Sequence, residues 1–295
     1  MENSFFFIVN ARIGENKIAQ LKKFVAAHLS EKVYEIHTTQ YAGHANELAK
    51  EATAKHNTMV VAVGGDGTVN EVIQALANTE IPLGIIPMGS GNGLARHCQI
   101  PLDMQEAVKL LNNGKQVRID VGKANAQYFI SNAGVGFDAA VCNAIKQTTK
   151  RGLSMYIRET FRHYYSYKPD TYIINADEKI YEQKAYFLNV ANGKEFGYGF
   201  EIAPNASLQD GYLDMILVKD INFWNGFSFV WDGWRKKLAQ NKNCIYIRAK
   251  KISLKGKQLK YFQTDGDAHD ANGECLIEIQ EKALKIFVPQ HIQVL

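Results

Sequence analysis

The sequence predicts an α/β N-terminal domain, with a parallel sheet and flanking helices, followed by a mostly β domain of sandwich-like character. Three observations predict it. Strand-like and helix-like segments alternate over the first ~120 residues, which is the pattern of a layered α/β sheet. From Val117 onward short β-rich segments dominate. The length of 295 residues is enough for two ordinary domains. The boundary is read at 1–118 against 119–295, with the last residues free to return to the first domain.

In the first part, Phe5–Val9, Val33–Ile36, Met59–Val63 and Leu83–Ile86 have the length and apolar content of buried strands. Helical spacing lies between them: Ile18, Leu21, Val25 and Leu29; Ala45, Leu48, Ala49 and Ala52; Val69, Val72, Ile73 and Leu76. Asp103 with Glu106 reads as a capping box opening a helix that Gly114 closes. Further strands are expected at Val117–Val121, Tyr128–Ser131, Thr171–Ile174, Lys184–Ala191 and Tyr212–Val218. Ile245–Ala249, Gln258–Phe262, Cys275–Ile279 and Leu284–Val288 complete that set. Helices are expected near Ala139–Thr148, Ser154–Tyr165 and Trp224–Leu238.

Composition narrows the classes. At 46% hydrophobic, 22% charged and 11% aromatic, the chain has material for a core, so disorder is excluded. Cys98, Cys142, Cys244 and Cys275 are scattered without a CxxC pair, which argues against a zinc site or a disulfide framework. The apolar runs fall short of the ~18 residues of a membrane span, and the N-terminus lacks a signal-like n-region and h-region, so a cytoplasmic protein is expected. The net charge of +4 is too small to suggest nucleic acid, and no zinc-finger or RRM-like signature is present. Its distribution is uneven: Ile221–Lys260 holds ten basic residues against Asp232 alone. That excess suits either an anionic membrane or a solvated face.

The chemistry-bearing signals are two glycine loops. Gly64-Gly65-Asp66-Gly67-Thr68 joins an apolar strand to an amphipathic helix, and glycines there let an oligophosphate approach the backbone and the helix N-terminus. Pro87-Met88-Gly89-Ser90-Gly91-Asn92 repeats the strand–glycine–helix order. Two such loops at the carboxyl ends of neighbouring strands would form one ligand crevice. Asp66 repels phosphate unless Mg²⁺ or a transferred proton intervenes; otherwise it caps a helix. Neither loop is a Walker A or a Rossmann fingerprint.

Together these loops resemble the catalytic domain of the diacylglycerol kinase family, which includes bacterial lipid kinases and sphingosine kinases. The resemblance runs over nearly the whole chain: Gly64–Thr68 with Asn70-Glu71, Pro87–Asn92, Asp120–Gly136, Ala203–Asp214 and Asp265-Gly266-Asp267. It implies an NAD kinase/diacylglycerol kinase-like α/β domain, a C-terminal β sandwich-like domain, and ATP in a cleft. ATP contacts carried over fall on Asn10, Thr39, Gly64, Gly65, Asp66, Gly67, Thr68, Asn70 and Glu71, and on Gly89, Ser90, Gly91 and Asn92. A Mg²⁺ ion would be held around Ser207, Asp210 and Tyr212, partly by main-chain carbonyls. The family's catalytic Glu is Asp267 here, one methylene shorter, with Asp66 as the second candidate base. Asn10-Ala11 replaces the usual Asn-Pro, Ser90 the usual Thr, and Gly93 the common Asp; the small residue at 93 resembles sphingosine kinases and favours a sphingoid or other lipid alcohol over diacylglycerol.

The function expected is phosphoryl transfer from MgATP to a lipid hydroxyl at a membrane surface. Phe223, Phe227, Val230 and Trp234, followed by Arg235-Lys236-Lys237, share a helical face that suits either an interfacial helix or a core. A catalytically weak or retired nucleotide- or lipid-binding regulator is the alternative that the short Asp267 supports. An NAD kinase-like enzyme acting on a soluble substrate is a further one. The sequence leaves the oligomeric state open, a homodimer included.

Overall fold

The computed structural model describes residues 4–55, 58–148, 153–197, 200–219, 228, 231–233 and 235–293. The chain divides into two compact units, Met1–Val121 with Glu281–Leu295, and Gly122–Gln280.

The first unit runs β1 (Ser4–Val9), α1 (Glu15–His28), β2 (Tyr34–Thr38), α2 (His44–Thr53), β3 (Thr58–Gly64), α3 (Asp66–Leu76), β4 (Leu83–Pro87), α4 (Gly93–His97), α5 (Met104–Asn113) and most of β5 (Lys115–Ala124). Parallel pairing gives the order β2-β1-β3-β4. Phe5–Val9 are all buried, as a central parallel strand with helices on both faces requires. Phe5, Phe7 and Val9 meet Leu21 and Val25 of α1 and Ala107, Val108 and Leu111 of α5. Alternation along the strand turns Phe6 and Ile8 to the other face. Asp103 accepts the Glu106 N–H at 3.0 Å, so the expected cap of α5 is formed. β2 is the edge strand, and this leaves Val33, expected inside a buried strand, just before it and exposed.

The second unit adds β6 (Gln127–Phe129), β7 (Asn132–Gly136), α6 (Phe137–Lys146), α7 (Leu153–Tyr164), β8 (Asp170–Ala176), β9 (Lys179–Ala185), β10 (Phe187–Ala191), β11 (Glu195–Gly197), β12 (Phe200–Glu201), β13 (Leu213–Val218), β14 (Cys244–Ala249), β15 (Lys251–Gly256), β16 (Tyr261–Thr264), β17 (Asp267–Asp270) and the first half of β18 (Glu274–Val288). One antiparallel sheet has the order β14-β13-β10-β7-β16-β17. The start of β18 pairs with β15, β15 with β8, and β8 with β9. Val135, Leu188, Met215 and Leu217 of the first sheet pack on Tyr172, Ile174, Ile252 and Leu254 of the second, the arrangement of a sandwich.

Two departures from the sequence expectation have local causes. Asn132–Gly136, glycine-rich and not among the strands expected from the sequence, is a strand paired on both sides. A β-carbon on Gly134 would lie 2.7 Å from Asp138 Oδ2, so close side-chain approach, and not chain reversal, explains that glycine. The strands expected at Cys275–Ile279 and Leu284–Val288 are one strand, β18. The polar Gln280-Glu281-Lys282 between them is a kink with Lys282 at φ +53°, its N–H held by Asp120 Oδ1 at 2.7 Å. The helix expected at Trp224–Leu238 falls largely outside the described residues.

Candidate functional site

In the first unit both glycine loops leave the carboxyl ends of adjacent strands, β3 and β4, whose register pairs Gly64 with Pro87. The Met88 N–H donates to Gly64 O at 2.8 Å. Beyond that pair the loops touch: a β-carbon on Gly65 would stand 3.0 Å from the Gly89 Cα, and one on Gly91 would stand 2.7 Å from Asp66 Oδ2. The two turns therefore form one backbone surface.

Asp66 ties them. Its Oδ2 accepts the Asn92 N–H at 2.8 Å and its Oδ1 the Gly93 N–H at 2.6 Å, which caps the start of α4 across 27 residues of chain. It therefore acts on the neighbouring helix and not on the one it opens, so its helix-capping role is met in an unexpected place. Asn92, with left-handed backbone at φ +54°, accepts the Gly89 N–H at 2.9 Å and donates back to Gly89 O at 2.8 Å. Its side chain is spent on closing the second loop.

Other expected ATP contacts also have hydrogen-bond partners within the unit. Asn10 Nδ2 donates to Thr68 Oγ1 at 2.8 Å, and a β-carbon on Gly64 would lie 2.4 Å from that oxygen. Thr39 Oγ1 accepts the Ala11 N–H at 3.3 Å. Glu71 accepts the Ala45 N–H at the start of α2 at 3.1 Å, and the Asn70 side chain accepts from Gln74 at 3.1 Å. Four of the expected contacts are exposed: Asp66 and Gly67, which open α3, and Gly89 and Ser90, which head the second turn. The first N–H groups of a helix have no partner within it, so the start of α3 has the chemistry that suits an anion. A depression of about 400 Å³ beside Gly89 and Asn92 is lined also by Lys17, Phe24, Arg96 and Met104, placing two cations and apolar surface next to the second turn.

In the second unit, Asp265 at φ +48° and Gly266 at φ +89° make a two-residue hairpin turn between β16 and β17. The Asp265 side chain is a clasp. Its carboxylate accepts the N–H groups of Ile130, Ser131 and Asn132 at 2.9, 2.8 and 3.1 Å. Asp267 starts β17 and is exposed, opposite Thr264. His269, two residues on, meets Thr264 Oγ1 at 2.8 Å, and burial lowers its pKa, which favours the neutral ring.

The residues carried over for Mg²⁺ lie in one loop, but their side chains do not form a cation site. Asp210 Oδ1 accepts the Tyr212 N–H at 3.0 Å, and Oδ2 is ion-paired with Arg248. Arg248 also lies over the Tyr212 ring at 4.5 Å and 4.0 Å from Asp214. Ser207 Oγ accepts the Gln209 N–H at 3.3 Å. A hard dication takes about six oxygens. Among the described residues no three His, Cys, Asp or Glu side chains are grouped to hold one. The side-chain donors as placed do not fit a resident Mg²⁺, because the Arg248 guanidinium supplies the positive charge beside Asp210. Sequence reading missed Arg248, whose only sequence signal was membership of the basic stretch.

A parallel sheet with paired glycine turns at its carboxyl edge, followed in the chain by an antiparallel sandwich, is a two-domain α/β and β architecture with its turns where open α/β sheets bind ligands. Comparison with known proteins specifies the family. The Diacylglycerol kinase catalytic domain matches residues 4–124, and the YegS C-terminal NAD kinase beta sandwich-like domain matches residues 131–288. The diacylglycerol kinase of Bacillus subtilis (strain 168) is 31% identical over 237 residues, covering 78% of each chain. That of Staphylococcus saprophyticus is 27% identical over 264 residues, covering 87% of this chain and 85% of its own. A solved structure from Bacillus anthracis str. Sterne superposes with TM-score 0.81 at 25% identity, over 99% of both chains. The chain belongs to the diacylglycerol kinase catalytic-domain family, a family of lipid kinases.

Proposed function

We propose that this chain transfers the γ-phosphoryl group of ATP, supplied as its magnesium complex, to the hydroxyl of a membrane lipid, with diacylglycerol the first acceptor to test. The observation that carries the reading is the contact between the two glycine turns, clasped by Asp66 and leaving the start of α3 open. Backbone N–H groups there suit the phosphates, and glycine removes the β-carbons that would hold them away. The lipid oxygen bonds to the γ-phosphorus, the bond from that phosphorus to the ADP oxygen breaks, and the lipid proton leaves to a base. Asp267 is the base in this reading, since Asp66 is committed to two N–H groups. The names of the relatives support diacylglycerol as acceptor, against the sphingoid preference drawn from Gly93.

An acceptor lipid requires docking at a bilayer. Among the described residues no helix is long and apolar enough to cross one. Phe223, Phe227, Val230 and Trp234 lie outside the described residues. Acids from elsewhere offset part of the basic stretch: Lys236 pairs with Glu201, Arg248 with Asp210, and Lys255 with Glu274. A different surface supports docking on anionic lipid. Ile157, Phe161 and Tyr165 on and just after α7 are 46%, 70% and 88% exposed at helical spacing, with Arg158 and Arg162 beside them.

The test is incubation with MgATP and vesicles carrying diacylglycerol, read by mass spectrometry of the lipids, for the wild type and Asp267→Asn. Phosphatidic acid from the wild type, and its loss in the variant with ATP binding kept, supports the reading. ATP binding without any phosphorylated lipid would favour the regulator, and phosphorylated NAD the soluble-substrate kinase.

A further inference from the structure

We infer that Gln263 is a positioning residue for Asp267: with Asp138 it forms a buried support that fixes the turn from which Asp267 projects. The inference rests on the kinase reading for its functional consequence and on geometry for its physical content.

Gln263 lies on β16 and is 1% exposed. Its Nε2 donates one hydrogen to Asn132 Oδ1 at 2.7 Å and the other to Asp138 Oδ2 at 2.8 Å, and its Oε1 accepts the Gly266 N–H at 2.8 Å. An amide has two N–H donors and one carbonyl, so each group has a partner. Turning the amide over would set its oxygen against two acceptors. Asn132 Oδ1 also accepts from Asn189 at 3.0 Å, and Asp138 Oδ1 accepts the Tyr156 hydroxyl at 2.9 Å. Residues of β7 and α6 thereby hold the amide directly, backed by β10 and α7, and its remaining bond is to the residue before Asp267.

Two further facts show that the arrangement is specific. Gly134 lies directly between the partners, where any β-carbon would come 2.7 Å from Asp138 Oδ2 and 3.0 Å from Gln263 Nε2. Asp138 is buried, and burial pushes its carboxyl pKa up to about 6. A buried carboxylate is a poor source of stability, but as an acceptor it orients Gln263. The turn is held from both ends, Asp265 by the main chain of 130–132 and Gly266 by Gln263, which fixes the start of β17. Positioning on this scale matters, because a displacement of about 1 Å reduces turnover by about 100-fold.

The groups facing Asp138 are Tyr156 of α7, Gln263 of β16, Asn189 of β10 and Cys142 of its own helix. Asp267 also lies within Coulombic range of Cys142, and Lys146 and Asp270 act on His269 nearby.

Gln263→Leu and Gln263→Glu test the proposal, with Asp267→Asn measured in parallel. In Gln263→Leu the Gly266 amide should exchange hydrogen about tenfold faster or more, and kcat should fall about 10- to 100-fold while the KM for ATP stays within about twofold. Gln263→Glu sets a second carboxyl against Asp138. Two such groups share one proton more readily at low pH, so the ratio of variant to wild-type turnover should rise severalfold from pH 8 to pH 6. Wild-type exchange and kcat in Gln263→Leu would overturn the proposal. If that variant does not fold, a ratio for Gln263→Glu that is flat with pH overturns it instead. Wild-type turnover in Asp267→Asn would remove the base assignment, whatever the Gly266 exchange shows.

Discussion

Gly89 faces Gly65 so closely that a β-carbon on Gly89 would lie 2.5 Å from the Gly65 Cα. Backbone, not a movable side chain, occupies that space, so the two glycine turns can meet only while both positions lack side chains. Gly67 differs: nothing lies within 4 Å of a β-carbon there.

This separates packing glycines from ligand-facing ones. Gly89→Ala should lower the melting temperature by several degrees and weaken ATP binding together. Gly67→Ala should stabilise the fold by about 0.5–1 kcal/mol through helix propensity, yet weaken ATP binding, because the new methyl stands where phosphate approaches. Calorimetric unfolding and ATP titration on both variants check this. Unchanged ATP affinity in Gly67→Ala would place the phosphates elsewhere.

Asp265 holds three main-chain N–H groups from a left-handed backbone position. Asp265→Ala should destabilise the protein by about 2–4 kcal/mol, given 1–3 kcal/mol for leaving buried donors unmet and the strain of alanine at positive φ. Asp265→Asn keeps one acceptor oxygen and tolerates the backbone, so its loss should be smaller. Urea denaturation of the two variants gives the order.

Asp138 makes stability depend on pH in a direction opposite to that of a salt-bridged carboxylate. Its ordinary value is 3.8 and the folded value is raised to about 6 by burial. Between those values the folded protein keeps a proton that the unfolded chain has released. Stability drawn from this group therefore falls as pH rises from about 4 to about 6, by roughly 3 kcal/mol, and is gone above that range. Relative to Asp138→Asn, which has no such titration, the wild type should lose stability over that window. Paired chemical denaturation curves at pH 4, 5, 6 and 7 measure it; a constant difference would show that Asp138 does not titrate there.

Phe161 is exposed on α7, so Phe161→Ser should leave stability within about 0.5 kcal/mol. Flotation with phosphatidylglycerol vesicles should drop severalfold in the variant, and wild-type binding should weaken with salt. Equal flotation of both proteins would move the docking surface away from α7.

Much of the first unit could be read without coordinates. The strands around Phe5–Val9 and Met59–Val63 are continuous apolar runs because both their faces are covered, and the cap of α5 is written in Asp103 and Glu106. The same reading passed over Asn132–Gly136, where glycine serves side-chain approach, and split one strand at Gln280–Lys282, where polar residues make a kink. Periodicity cannot tell a turn from either of these, since it has no information about what lies opposite.

The site divides along the same line. The sequence by itself determined the family, the two glycine turns and the Asp265-Gly266-Asp267 motif, because those features are runs of adjacent residues whose backbone needs are local. Only the tertiary structure decided what the side chains do: that Asp66 caps a helix 27 residues away, that Arg248 sits beside Asp210, and that Gln263 reaches Asp138. Each of these is a hydrogen bond or ion pair between positions that the chain brings together only on folding, and a one-dimensional pattern carries no record of that distance.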